Sequence, residues 1–319
     1  MRCLPKDSLE IILDLDAMGH ALHGNQEGRF FSGYYNEYCY LPLYIFAGNI
    51  LFWAQLRPAD QDVAFGIVEA LIKIVAALRK RFPKIRIIIR GDSGFCRTEL
   101  MDWCEDQGIY YCLGLARNER LEALLLPSMI TARMRRCLTS GVSVRVFTEF
   151  QYATLKTWRC ARRVIGKAEI TLEGENPRFV VTNLPSKGFD LEDPQRFEPT
   201  RLYANEYCPR GQMENVLKQQ VLDLKADRMS THYMSSNQLR LWLSAFAWLL
   251  LERLRSLTLH GTELATATAG TIRLRLFKVA AIVRISVRRV YVQMASSFPM
   301  QALYAQCLHR LKSISWQFL

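Results

Sequence analysis

The sequence predicts an α/β protein built on a mixed sheet flanked by helices, with a β-rich insertion and a helical C-terminal region. Three observations predict it. Apolar and aromatic strand-like runs fill the first 57 residues before any helical periodicity begins. A strand–helix–strand unit follows over residues 85–116, and its apolar strands read as parallel and buried on both faces. Strand-like segments return from residue 142, and from about Asp193 the pattern is helical nearly to the end. With 319 residues, half of them hydrophobic, the chain is able to bury a full core.

In chain order, "LEIILDLDA" (9–17) is a short apolar run ending in acidic residues, which predicts a buried strand. Gly24, Asn25 and Gly28 mark a loop. "RFFSGYY" and "YCYLPLYIFA" read as strands around a turn at Asn36–Glu37, and "NILFWAQLR" as a third. Val63, Ile67, Leu71, Ile74 and Leu78 recur at helical spacing, predicting a helix over 60–81. "IRIIIRG" is a strand, "RTELMDWCEDQG" a helix stopped by Gly108, and "IYYCLGLA" the next strand. This order is that of the ribonuclease-H-like fold. Neither a Rossmann domain nor a TIM barrel opens with an antiparallel meander. "LEALLLPSMITARMRRCL" reads as helix, and residues 142–184 as the short strands of an insertion. "LWLSAFAWLLL" (241–251) is too short to span a bilayer and reads as a buried helix. The expected division is 1–125 and 193–260 for the core, 126–192 for a helix plus the insertion, and 261–319 for a basic helical end.

The formal charge is +12, which favours a polyanionic partner. No Asp or Glu follows Glu263, and Arg273, Arg275, Lys278, Arg284, Arg288, Arg289, Arg310 and Lys312 lie beyond it. Val279, Ala280, Ile282, Val283, Val287 and Val290 among them imply a packed helix with one basic side. Nine cysteines without a C-x-x-C pair argue against a zinc ribbon and for reduced thiols in a cytoplasmic protein. "MRCLPKDSLE" has no apolar stretch of the kind a secretion signal needs.

Carboxylates are the residues that carry chemistry. Asp14 and Asp16 end the first strand, and Asp92 lies just past another, between Gly91 and Gly94, which let the backbone turn. In open α/β sheets reactive groups gather at strand carboxyl ends. Neighbouring carboxylates repel unless a cation lies between them, and hard oxygen ligands suit Mg²⁺ or Mn²⁺. Arg210, Glu214 and Lys218 follow at i, i+4, i+8, sharing one helix face after Pro209. The plain structural meaning of these features is a loop aspartate and an exposed ion-pair ladder.

The stretches "LDLDAMGHALHGNQEGRFFSGYYNEYCYLPLYIF", "RGDSGFCRTELMDWCE" and "YANEYCPRGQMEN", with "DLKADR" downstream, resemble the DDE transposases of bacterial insertion sequences. More narrowly they resemble the group numbered thirteen-eighty, a relative of those carrying Y-x2-R-x3-E. The likeness runs over nearly the whole chain. It implies Asp16, Asp92 and Glu214 as an acidic triad holding two Mg²⁺ or Mn²⁺ ions, with Asp14 as second candidate for the first position. It implies that Tyr207 and Arg210 act near the cleaved DNA end, that Lys218 is a basic partner on the same helix, and that Arg288 and Arg289 bind phosphates. The function implied is metal-dependent cleavage at transposon ends and strand transfer by a homodimer on DNA, with no membrane partner, in the bacterial cytoplasm near the nucleoid. Alternatives are a related metal-dependent nuclease and an inactive remnant that still binds DNA. Met18 stands where the group has threonine, Val221 where it has a second lysine, and the group's additional N-terminal sequence is expected to be missing here.

Overall fold

In the computed structural model, residues 9–139, 143–187 and 193–314 are described. Residues 1–8 of the stretch read for a secretion signal lie outside them. The elements begin with β1 (Glu10–Ala17), β2 (His20–Ala21), β3 (Phe30–Ser32), β4 (Glu37–Tyr40), β5 (Leu43–Ala47) and β6 (Ile50–Gln55). Then come α1 (Ile67–Arg81), β7 (Arg86–Gly91), α2 (Thr98–Asp106), β8 (Tyr110–Leu115) and α3 (Glu119–Leu138). Next are β9 (Val144–Tyr152), β10 (Arg162–Thr171), β11 (Gly174–Glu175), β12 (Arg178–Thr182) and the short α4 (Pro199–Arg201). The chain ends with α5 (Gly211–Leu224), α6 (Met234–Leu254), α7 (Ala269–Ile272), β13 (Ala281–Ile285), β14 (Val290–Met294) and α8 (Gln301–Ser313).

Two compact units result. One comprises the described residues through Gly19 together with Arg29–Glu214; the other comprises His20–Gly28 and the described residues from Asn215 onward.

In the first unit β1 is central. It runs antiparallel to β5, which pairs with β6, and parallel to β7, which runs parallel to β8. The order β6-β5-β1-β7-β8 is that of a ribonuclease-H-like core. The insertion strands do not form a separate layer: β12 pairs with β8 and β10 with β12, so they extend the same sheet. Alternation along the strands explains the two cores. Ile11, Leu13, Leu15, Ile87 and Ile89 pack with Leu71, Ile74 and Leu78 of α1 and Leu100 and Met101 of α2. Ile88, Cys112, Ile165 and Val180 pack on the other side with Leu202 and Tyr203. That double coverage is why "IRIIIRG" is almost continuously apolar.

Two details differ from expectation. Helix α1 starts at Ile67, not near residue 60, because Gly66 sits at φ 74° and breaks the helix, while the Asp62 side chain accepts the Ala64 N–H at 2.8 Å in a turn. The run "YCYLPLYIFA" splits at Leu41–Pro42, so that β4 pairs with β3 in a hairpin and only β5 enters the main sheet.

In the second unit α6 buries Leu241, Ala245, Trp248 and Leu251 along one face, while Leu243, Phe246 and Leu250 on the other are exposed. The expected buried helix is thus buried along one face. No helix among the described residues is long and apolar enough to cross a membrane. The expected packed basic helix around residues 279–290 is also overturned. Residues 281–294 form the antiparallel hairpin β13–β14, with both strands exposed. Val and Ile dominate it, and β-branched side chains favour the pleated strand over the helix.

Candidate active site

The site grows from one face of β1. Because side chains alternate, Asp14 and Asp16 point to the face opposite Leu13 and Leu15. Asp14 lies opposite Arg90 of β7 in the parallel register. Arg90 donates to both Asp14 carboxylate oxygens, at 2.6 and 2.7 Å, and its third arm donates to the Glu206 carbonyl at 2.5 Å. Burial pushes the Asp14 carboxyl up, opposed by these hydrogen bonds and the Arg90 charge. Asp14 is thus committed to a buried ion pair. Asp16, two residues on, has no such clamp. Its Oδ1 accepts the neighbouring Ala17 N–H at 2.9 Å, and Arg210 Nη1 stands 3.8 Å from its Oδ2.

Asp92 follows Gly91 at the end of β7. Its Oδ1 accepts the Gly94 N–H at 2.9 Å and its carbonyl accepts from Phe95, closing a tight turn. A Cβ on Gly94 would meet Val63 Cγ1 at 2.8 Å and Asp92 Oδ1 at 3.0 Å, so the turn that presents Asp92 needs glycine there.

Tyr207 and Arg210 come from an irregular approach to α5. Leu202–Tyr207 is a π-helical turn and Cys208–Arg210 a 3₁₀ turn; α5 begins only at Gly211, not at Pro209. Such π-turns are frequent at functional sites because they re-aim side chains a regular helix would point elsewhere. Here the turn is anchored through the Glu206 carbonyl on Arg90, and Arg196 holds the Glu206 carboxylate at 2.7 Å while also holding Glu10. Tyr207 packs on Tyr203 with ring centroids 5.6 Å apart. Its hydroxyl lies over Gly114 of β8: a Cβ there would be 2.6 Å from that oxygen and 2.9 Å from the Ser93 backbone nitrogen. Gly114→Ala is expected to displace Tyr207 and the Asp92–Ser93 turn, and to lower any activity of this site by on the order of 10²-fold. Kinetics beside a thermal melt would check this; full activity would show that the close fit is not used.

Arg210 stands beside the Asp16 and Glu214 carboxylates, and the charge of Asp92 also reaches it. Burial raises the Asp16 carboxyl to about 6; Arg210 opposes this, while the charges of Asp92 and Glu214 add to it. Arg210 Nη2 is 3.9 Å from Glu214 Oε1. Burial works against the Arg210 charge, but Asp16, Tyr207, Asp92 and Glu214 outweigh it and raise its pKa. Burial holds the Tyr207 hydroxyl neutral, with its pKa pushed up to about 12. The Asp16 carboxyl thus feels the charges of two residues that lie 76 and 198 positions further along the chain.

A family model described as "Transposase DDE domain group 1" matches residues 3–316. The chain belongs to that family. No curated protein matches it. Among solved structures it is similar to a piggyBac transposase, determined by cryo-EM as a synaptic complex with hairpin DNA, at 12% identity and a TM-score of 0.43. That similarity covers 77% of this chain and 48% of the other, so the chain spans about half the length of the protein it matches.

DDE transposases are generally phosphoryl-transfer enzymes and typically use divalent metals. The donor chemistry of Asp16, Asp92 and Glu214 fits such an ion, since all three offer only carboxylate oxygens and the buried Asp16 feels the other two charges. Among the described residues no three acidic, histidine or cysteine side chains form a ready-made cage, and the Arg210 guanidinium lies between the Asp16 and Glu214 carboxylates. Lys218, Arg288 and Arg289 are exposed members of the second unit. Sequence reasoning missed Arg90 and Gly114. A signal for the first existed, since an arginine closing so apolar a strand needs a buried partner; Gly114 left none.

Proposed function

We propose that this chain is a DNA transposase of the thirteen-eighty group that cleaves transposon ends and joins them to target DNA, with Asp16, Asp92 and Glu214 as its acidic triad. The observation that carries the proposal is that Arg210 stands within 4 Å of both Asp16 and Glu214, while the Asp16 carboxyl also feels the charge of Asp92. Two bound Mg²⁺ or Mn²⁺ ions would supply activation of the attacking oxygen and stabilisation of the leaving 3′-oxygen. Asp16, Asp92 and Glu214 would hold them.

The remaining roles belong to the chain's own groups. Asp16, at about 6, is ionised in neutral and mildly alkaline solution and so able to ligate. Arg210 offers a planar fork of donors to a phosphate, which exchanges its loose carboxylate partners for a bidentate one. Tyr207 stays protonated, and its hydroxyl oxygen accepts a hydrogen bond from Arg210. Lys218, Arg288 and Arg289 neutralise DNA phosphates as point or forked charges, and the partner assembly is a homodimer on DNA.

Cleavage of DNA carrying the element's ends, in Mn²⁺, tests the proposal with wild type, Asp92→Asn and Glu214→Gln. Both variants are expected to lose on the order of 10³-fold or more in rate. Equal cleavage by all three would rule the site out. Cleavage without joining would make the protein a nuclease, and DNA binding without cleavage by wild type would make it an inactive remnant.

A further inference from the structure

The hairpin β13–β14 stands out in the second unit because neither face is covered. Its register pairs Ala281 with Met294, Val283 with Val292 and Ile285 with Val290, so one face carries six apolar side chains and no polar one. The other carries Ile282, Arg284, Tyr291 and Gln293. Val283 is 55% exposed, Val292 61% and Ile285 80%. The turn is well defined: Ser286 N–H donates to the Arg289 carbonyl at 2.8 Å, and the Ser286 hydroxyl accepts the Arg289 N–H at 3.1 Å. Val287 and Arg288 are held at the tip, with Val287 fully exposed. A lone two-stranded ribbon is marginal in water, so such a surface calls for an occupant.

Charge selects the occupant. Arg284, Arg288 and Arg289 lie on the ribbon, and residues 264–319 contain no Asp or Glu. Two ribbons packed together would double that charge with nothing in the segment to offset it. Duplex DNA supplies phosphates at the groove rims and apolar deoxyribose walls within, matching a ribbon that is apolar on one face and basic at its tip.

Building on the reading of this chain as a DNA enzyme, we infer that the hairpin is an arm that enters the minor groove of duplex DNA and bends it. From Ala281 to its tip the ribbon reaches roughly 20 Å. The groove is about 6 Å wide, so entry requires widening, and a widened minor groove bends the duplex toward the major groove. Val287 meets the base edges first, and Arg288 and Arg289 take the phosphates beside it.

The test uses the full chain and an A·T-rich duplex of about 30 base pairs labelled with a donor and an acceptor dye at its ends, titrated with and without the minor-groove ligand netropsin. Wild type is expected to raise energy transfer on binding, and netropsin to abolish the rise. Arg288→Ala with Arg289→Ala is expected to flatten the log–log salt dependence of binding by about two units, at about 0.9 per phosphate lost. Val283→Ser with Val292→Ser is expected to weaken binding severalfold, with thermal melts unchanged because both side chains are exposed. Binding that leaves energy transfer unchanged, or that netropsin does not disturb, overturns the arm while leaving the transposase reading intact. A Val283→Ser, Val292→Ser protein that sediments as a monomer where wild type is a dimer, at unchanged DNA affinity, assigns the apolar face to a second copy and overturns it equally. Failure to bind DNA under any condition removes both readings.

Discussion

Asp16→Asn is expected to abolish DNA cleavage and, at pH 8, to make the protein more stable. The activity loss should be on the order of 10³-fold or more, since a neutral amide is a poor ligand for a hard cation. The stability gain follows from proton linkage. The Asp16 carboxyl is raised from its ordinary 3.8 to about 6 in the folded protein, chiefly by burial. Between those values the folded state holds more proton than the unfolded state, so stability falls as pH rises through this window and stays low above it. At about 1.4 kcal/mol per pH unit, the ionised carboxylate costs the fold about 3 kcal/mol at pH 8. Asparagine removes the charge and therefore most of that cost. Below pH 4 the wild-type carboxyl is itself neutral, and the advantage should vanish. Urea unfolding of both proteins at pH 8 and pH 4 reads this directly. Mn²⁺ should stabilise wild type at pH 8 and do much less for Asp16→Asn, because a ligand that binds only the folded state adds stability. Equal stabilities of the two proteins at both pH values would mean that Asp16 carries no burial strain. An electrostatic penalty of this kind, kept at a site and offset elsewhere, is characteristic of residues selected for chemistry instead of stability.

How far the sequence could be read depended on the range of the interactions involved. β1, β7 and β8 were legible because each is an apolar run closed by a turn signal, and their burial on both faces was implied by their composition. Asp92 was legible as a strand-end carboxylate because Gly91 and Gly94 flank it in the chain. Arg90 was visible as an odd charge, but its partner Asp14 lies 76 residues away, and only strand register brings them together. The Gly114–Tyr207 fit spans an even longer separation and leaves no periodic trace. The π-turn at Leu202–Tyr207 cannot be told from ordinary helix by spacing alone, so the start of α5 was placed two residues early, at Pro209. The tail failed for a different reason. Ile282, Val283, Val287 and Val290 fit a helical stripe about as well as a strand alternation, and β-branching was the better guide.

Arg90→Met is expected to destabilise the protein by about 3–5 kcal/mol, the usual consequence of leaving a buried carboxylate without its partner. The Asp14 side chain is 5% exposed and that of Arg90 9%, so water cannot replace the lost hydrogen bonds. The Glu206 carbonyl loses its donor as well, which frees the π-turn carrying Tyr207 and the arginine that follows it. Asp14→Leu combined with Arg90→Met removes both charges, and most of the lost stability should return, so the coupling energy in the double-mutant cycle should be at least about 3 kcal/mol. Urea unfolding of the four proteins measures it. A double variant whose loss equals the sum of the two single losses would show that Asp14 and Arg90 act separately. Asp14→Asn separates the two candidates for the first carboxylate. With its charge already neutralised by Arg90, Asp14 should give a variant whose main defect is stability and which still binds Mn²⁺. Asp16→Asn should show the opposite pattern. The two aspartates sit on the same face of the same strand, and the guanidinium opposite one of them is what sets their roles apart.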